Sequence, residues 1–352
     1  MFERNDKCFC ESGKKFKDCC GSVLLKEKGI KEVSFKPYEI RQIEGDLLNI
    51  SKKNTCLYPG CTNPAINSHS IQNSRFLKLL SKNGHVLQFD INLKGSTADF
   101  LLGDKGINTV ASTFYGFCNI HDSPIFKKIE IGNNIFSTPE QYFLFAYRAL
   151  AHSLYTSKEM YKFRTLIAKK KPMIVYSPQF QEDVINQKEI RESFQLYKNV
   201  FDQALLTSNW GELETILLIV NKPSLVAVSS CFSLPFDLRG NYLFQNDRPK
   251  KMMMTVCSED KKTYALFSWI KKEERYFNTF RKQLLSLSEQ QIVSLINNII
   301  PFYCENYFIA HELWETFSTE AKEELIKVSS NFFQYRLAKN FLGETKYSFY
   351  AH

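Results

Sequence analysis

The chain has 352 residues, a formal net charge of +9 and a pI near 8.9, enough length for two or three domains with a sizeable core. Its 44% hydrophobic and 24% charged content excludes a disordered or fibrous polymer, and no apolar run reaches the roughly 18 residues that span a bilayer. The cationic excess favours polyanionic partners, nucleic acid first among them, with DNA and RNA equally open.

Residues 1–22 contain Cys8-x-Cys10-x8-Cys19-Cys20, with Gly13 placed where the chain must reverse between ligand pairs. So short a segment buries too little surface to fold alone, so zinc bound by Cys8, Cys10, Cys19 and Cys20 is expected to hold it. The ten cysteines follow a polar start, Met1 to Lys7, with no signal-peptide core. A reducing, cytoplasmic setting is expected, in which thiols ligate metal. Residues 23–50 are a lysine-rich connector that ends in a helix over Ile40–Ile50.

Residues 51–137 carry a second cluster: Cys56-x4-Cys61, then Ser68-His69-Ser70, then Cys118-Asn119-Ile120-His121-Asp122. Cys56, Cys61, Cys118 and His121 make a second four-ligand zinc set. His69 is left as a fourth or alternative zinc ligand or a structural histidine.

Residues 138–352 read as an α+β domain. Pro139 opens a helix over 139–160 with Tyr142, Phe143, Phe145, Ala146, Leu150 and Leu154 at helical spacing. Arg148 interrupts that apolar face, and if buried it needs a partner such as Asp122 or a phosphate. A second amphipathic helix covers 187–208. Four runs rich in β-branched and aromatic residues follow: Thr215–Val220, Ser224–Ser230, Lys251–Cys257 and Thr263–Trp269. Turn residues separate them, which predicts an antiparallel sheet over 211–270 packed on helices at 187–208 and 275–340. Ser288 is an N-cap for Glu289–Ile300, Pro301 is expected to break or restart that helix, and the rest reads as helical to about Leu342.

The remaining singular residues read as ordinary. Lys14, Lys15 and Lys17, and the run Lys169-Lys170-Lys171, are solvated faces. His85, His152, His311 and His352 have no ligand-spaced neighbours. Cys231, Cys257 and Cys304 sit in apolar contexts as small core residues.

Cys8, Cys10, Cys19 and Cys20, with Ser12-Gly13-Lys14-Lys15-Phe16-Lys17 between them, resemble the SEC-C zinc motif, named for its place at the C-terminus of the SecA motor protein. The resemblance implies a non-catalytic adaptor that docks to protein, ribosome or nucleic acid through residues 1–22. The order of knuckle, isolated histidine and second knuckle with a polar residue after it resembles the HNH, or ββα-metal, endonucleases. That resemblance implies a treble-clef or ββα-metal-like zinc module in which His69 activates water and Asp122 binds a catalytic Mg²⁺ or Mn²⁺ ion. Three departures stand out. Ser68 replaces an acidic residue or histidine, Asp122 replaces the final histidine, and no asparagine lies just before the second knuckle. Asn108 is ten residues upstream, and Asn119 is inside the knuckle.

Two functions follow as expectations. The first is a metal-dependent nuclease of the kind bacteria use in antiviral defence or as toxins. The second is a non-enzymatic zinc adaptor for nucleic acid, ribosome or a protein partner. An activity carried by the α+β half alone is the third and weaker reading.

Overall fold

Proline's fixed φ suits the first turn of a helix, and Pro37 opens α1 (Pro37–Ser51), where the Glu39 side chain accepts from the Lys36 backbone N–H at 2.9 Å. The computed structural model describes residues 2–22, 34–94, 97–244, 247–330 and 340–351. After α1 come strand β1 (Asn67–His69), a π turn at Asn73–Leu77 and the single turn α2 (Lys78–Leu80). Strands β2 (His85–Lys94) and β3 (Thr97–Gly106) form an antiparallel pair in the register His85↔Gly106 to Lys94↔Thr97. Strand β4 (Thr113–Tyr115) returns to pair with β1, and α3 (Asp122–Glu130) follows the second knuckle.

Two long helices come next. Helix α4 (Pro139–Lys170) starts in a capping box in which the Thr138 hydroxyl accepts from Gln141 N–H at 3.2 Å. Helix α5 (Pro178–Thr207) starts behind the Ser177 cap. Both run longer than the periodic stripes in the sequence.

The four expected strands form as β5 (Leu213–Val220), β6 (Val226–Ser233), β7 (Lys251–Glu259) and β8 (Lys262–Ile270). They join β2, β3 and β9 (Tyr307–Ile309) in a seven-stranded antiparallel sheet of order β3-β2-β9-β6-β7-β8-β5. Residues Val226–Phe232 of β6 are all buried, as a strand covered on both faces must be. Helix α4 crosses β6 and β7, while α6 (Glu274–Leu285) packs on β5 and α7 (Glu289–Tyr303) packs on β5 and β6. The 187–208 segment, expected on the sheet, lies mainly along α4 instead.

The C-terminal expectation needs correcting. Pro301 does not end α7, which runs on to Tyr303. Proline lacks the N–H that would meet the Asn297 carbonyl four residues back; the Tyr347 hydroxyl donates to that carbonyl instead, at 3.2 Å. The chain then enters β9, α8 (His311–Thr316) and α9 (Thr319–Ser330) instead of one continuous helix. Residues 331–339 of that expected helix lie outside the described residues, as do residues 23–33 of the connector.

Two apolar clusters hold the chain. The larger runs from Cys56 and Ile71 through Phe114, Phe117 and Phe126 to the sheet and to Tyr350, so the second metal segment shares a core with the helices and strands after residue 138. The smaller joins Phe9 and Phe16 to Tyr161, Val175, Phe180 and Val184. Among the described residues, no helix is long and apolar enough to cross a membrane.

Candidate functional site

The first knuckle folds around a tight reversal. Gly13 takes φ +77°, Cys8 N–H donates to the Lys14 carbonyl at 2.8 Å, and a 3-10 turn over Phe16–Asp18 delivers Cys19 and Cys20. Cys10 Sγ lies 3.4 Å from both Cys8 Sγ and Cys19 Sγ, and all four sulfurs fall within 4.8 Å of one another. Ligands about 2.3 Å from one centre stand about 3.8 Å apart in a tetrahedron, so this set can hold zinc. Phe2, Phe9 and Phe16 stack against one another, and the Tyr161 hydroxyl donates to the Phe9 carbonyl at 2.5 Å. The knuckle's aromatic face is therefore taken up by its own chain, while Lys14 and Lys15 are exposed.

The second set comes together from two distant knuckles. Cys61 Sγ is 3.9 Å from Cys118 Sγ, and His121 Nδ1 is 3.2 Å from Cys118 Sγ and 3.7 Å from Cys56 Sγ. Cys56, Cys61, Cys118 and His121 can hold a second metal ion. Burial pushes the Cys56 thiol up to about 12, although its Sγ accepts from the backbone N–H groups of Tyr58 and Cys118 at 3.4 and 3.3 Å. Burial works against ionisation of Cys118, but the backbone donors of Ile120 and His121 outweigh it and bring the thiol down to about 6. Tyr58 stacks on the His121 ring at 3.9 Å and 8°, which fixes the imidazole plane. Beneath the knuckle, buried Lys198 donates to the Leu57 carbonyl at 2.7 Å and pairs with Asp202.

His69 is not among the side chains grouped in that set. It ends β1 opposite Thr113 of β4. Its Nδ1 lies 3.2 Å from Ser112 Oγ, and that hydroxyl donates to the Ile71 carbonyl at 3.0 Å. With the hydroxyl proton directed to Ile71, Ser112 Oγ can accept from Nδ1–H, which puts the lone pair of the neutral ring on Nε2. Ser112 reaches this position through a left-handed backbone, φ +59°. Burial and then the Arg148 charge hold the His69 pKa below its ordinary 6.5, against the Ala111 carbonyl and Glu130.

Asp122 is the first residue of α3, set by its N–H bond to the Cys118 carbonyl at 2.9 Å. Its Oδ1 is buried with no hydrogen-bond partner. Burial raises its pKa, while Arg148 and the Ser68 hydroxyl pull it down. Arg148 is only 3% exposed, pairs with Glu130 and lies over the Phe126 ring at 4.0 Å. Its charge bears on both His69 and Asp122. Arg75 completes the wall, donating to the Glu130 carbonyl at 3.2 Å and pairing with Glu259 of β7.

Sequence reasoning missed several supports. Asn306, just before β9, donates to Ser70 Oγ at 2.8 Å and to the Ser229 carbonyl at 2.7 Å, tying the end of β1 to the large sheet. Asn108 bonds to Asn73 at 2.8 Å instead of reaching His69, and Asn119 is exposed. His85 Nδ1 and His311 Nε2 each lie 2.9 Å from Asp104, a grouping across three elements that no local spacing reveals. His152 packs edge-on against Phe114 at 5.3 Å. His352 lies outside the described residues. Cys231, Cys257 and Cys304 are buried core residues.

Gly116 is where the backbone cannot accept a side chain. A Cβ there would meet the Phe114 ring at 2.1 Å, and Phe114 is 1% exposed. Gly116→Ala should cost about 1–3 kcal/mol through overpacking, read as a lower denaturant midpoint at an unchanged slope.

The fold and its sites define a mixed α+β protein with two four-ligand groups able to hold metal. Residues 4–22 match the SEC-C motif. No curated protein and no solved structure matches the chain.

Proposed function

We propose that this protein is a metal-dependent, HNH-like endonuclease with His69 as the general base. The observation that carries the reading is that His69 and Asp122, whose Oδ1 is buried without a hydrogen-bond partner, both lie within the field of Arg148 and outside the four-ligand set. The antiparallel pairing of β1 with β4, and α3 after it, supports the reading, with the β2–β3 hairpin inserted between the two short strands.

Phosphodiester hydrolysis needs a base for the attacking water and positive charge on the developing phosphorane. His69 accepts the water proton at Nε2, and Ser112 holds its ring by receiving Nδ1–H. Asp122 and Glu130 are oxygen donors of the kind Mg²⁺ or Mn²⁺ takes, and such a cation would stabilise charge on the phosphate oxygens. Burial, and then the Arg148 charge, disfavour the imidazolium, so the base is neutral at neutral pH.

The test is incubation of the zinc-loaded protein with labelled single- and double-stranded DNA and RNA, with Mg²⁺ or Mn²⁺. Cleavage of at least one polymer is expected, with an acidic limb in kcat/KM whose midpoint lies below 6.5. The sign follows from the base: a depressed pKa leaves the ring unprotonated to lower pH, so activity persists there. A limb centred above 7 would remove His69 from that role. Binding without scission of any polymer would favour the adaptor reading, which draws on the first knuckle and on Ser68, a poor metal ligand.

A further inference from the structure

Away from His69, the far half of α4 faces α5 across a cavity of about 540 Å³, with Cys10 and Glu11 of the first knuckle as one wall. Lys158, Lys162, Thr165 and Lys169 line it at positions i, i+4, i+7 and i+11, which is one stripe of the helix. Arg191 of α5 faces them. Lys162 is engaged with Glu159 and Asn54 at 2.9 and 2.6 Å. Arg191 pairs with Glu11 at 2.5 Å and lies over the Tyr161 ring at 4.1 Å. Lys158 and Lys169 have no side-chain hydrogen bond or ion pair among the described residues.

We propose that this cleft seats the phosphate of a nucleotide or of a nucleic-acid strand, with Lys158 and Lys169 as its principal donors. Burial, then Lys162 and Arg191, disfavour the charged form of Lys158, and the Asp202 and Glu159 carboxylates offset them only in part. A half-buried ammonium is costly, and a bound polyanion lowers that cost. The carboxylates lining the cleft, Glu11 and Glu192, leave it cationic. Lysines at the ends of the stripe stand about 16 Å apart along the axis, so each meets a different phosphate, a spacing that suits a polyanion better than one small anion. Ile50 and Leu166 give apolar surface for a sugar or base, and the volume lies within the usual range for small-ligand sites. The inference is independent of the nuclease reading, because none of these residues belongs to the His69 site.

Calorimetric titration of the full chain with inorganic pyrophosphate, ATP and a twelve-nucleotide single strand tests it. Saturable binding of ATP or the strand is expected, weakened at least tenfold by Lys158→Gln. Exposed Lys169→Gln serves as a second variant with little risk to folding. Its expected signature is a lower salt slope for the strand, by about one. ATP binding marks a nucleotide site, and binding of the strand alone marks a backbone track. Failure of all three probes, or affinities unchanged in both variants with zinc content intact, overturns the proposal.

Discussion

His69→Ala should lower cleavage by about 10²–10⁴-fold, the usual contribution of a positioned base, while the protein keeps both zinc ions and its affinity for nucleic acid. The geometry makes each part of that result specific. His69 lies outside the set formed by Cys56, Cys61, Cys118 and His121, so its loss takes no ligand from the metal. Its side chain is half-buried and its partners are Ser112 and the Ala111 carbonyl, so truncation leaves Ser112 donating to Ile71. The stability cost should stay near 1 kcal/mol. Affinity should fall with added salt as before, because counterion release depends on lysines and arginines elsewhere. Ser112→Ala should give a smaller loss, since it frees the ring without removing the base. Wild-type cleavage by His69→Ala would end the catalytic assignment. Loss of one zinc in the same variant would make His69 a ligand.

How far the sequence reveals this architecture depends on how local each signal is. The two ligand sets are readable because thiolates and imidazole at knuckle spacing have few other uses, and the structure brings each set together. The strands β5 to β8 are readable because alternation and turn residues coincide. The hairpin of β2 and β3 went unread although Leu87, Phe89, Ile91 and Leu93 alternate in the sequence, because the metal ligands on either side dominated that segment. Its pairing with β9 joins residues far apart in the chain and leaves no local trace. The same holds for the His69 site. Ser112 orients the ring from a left-handed backbone, Asn306 braces it from the sheet, and Glu130 pairs with Arg148 across two helices. The tolerance of Pro301 depends on Tyr347, which closes the hydrogen bond that proline opens.

The two metal sets should differ sharply in what their loss does to the fold. Elemental analysis is expected to give two zinc ions per chain, and one or none would count against the assignment. Cys118→Ser should lose one of them and with it much of the protein's stability. Structural zinc contributes about 10–16 kcal/mol in small zinc peptides, against a total of about 5–15 kcal/mol for a typical domain. Cys118 and Cys56 belong to the large core cluster beside Phe114, Phe117 and Phe126. The same knuckle sets the start of α3, and buried Lys198 and Asp202 are braced against its loop through Leu57. Releasing it therefore opens the core itself. Cys10→Ser should also lose one zinc, but its knuckle rests on the separate cluster around Tyr161 and Phe180. That variant should keep a native sheet and unfold near the wild-type midpoint. Hydrogen exchange followed by mass spectrometry separates the outcomes: fast exchange across residues 56–130 in Cys118→Ser, confined to the N-terminal knuckle and the α4–α5 surface beneath it in Cys10→Ser. Equal protection of residues 56–130 in the two variants would show that the second zinc does not hold that segment, and two zinc ions in Cys118→Ser would remove Cys118 as a ligand.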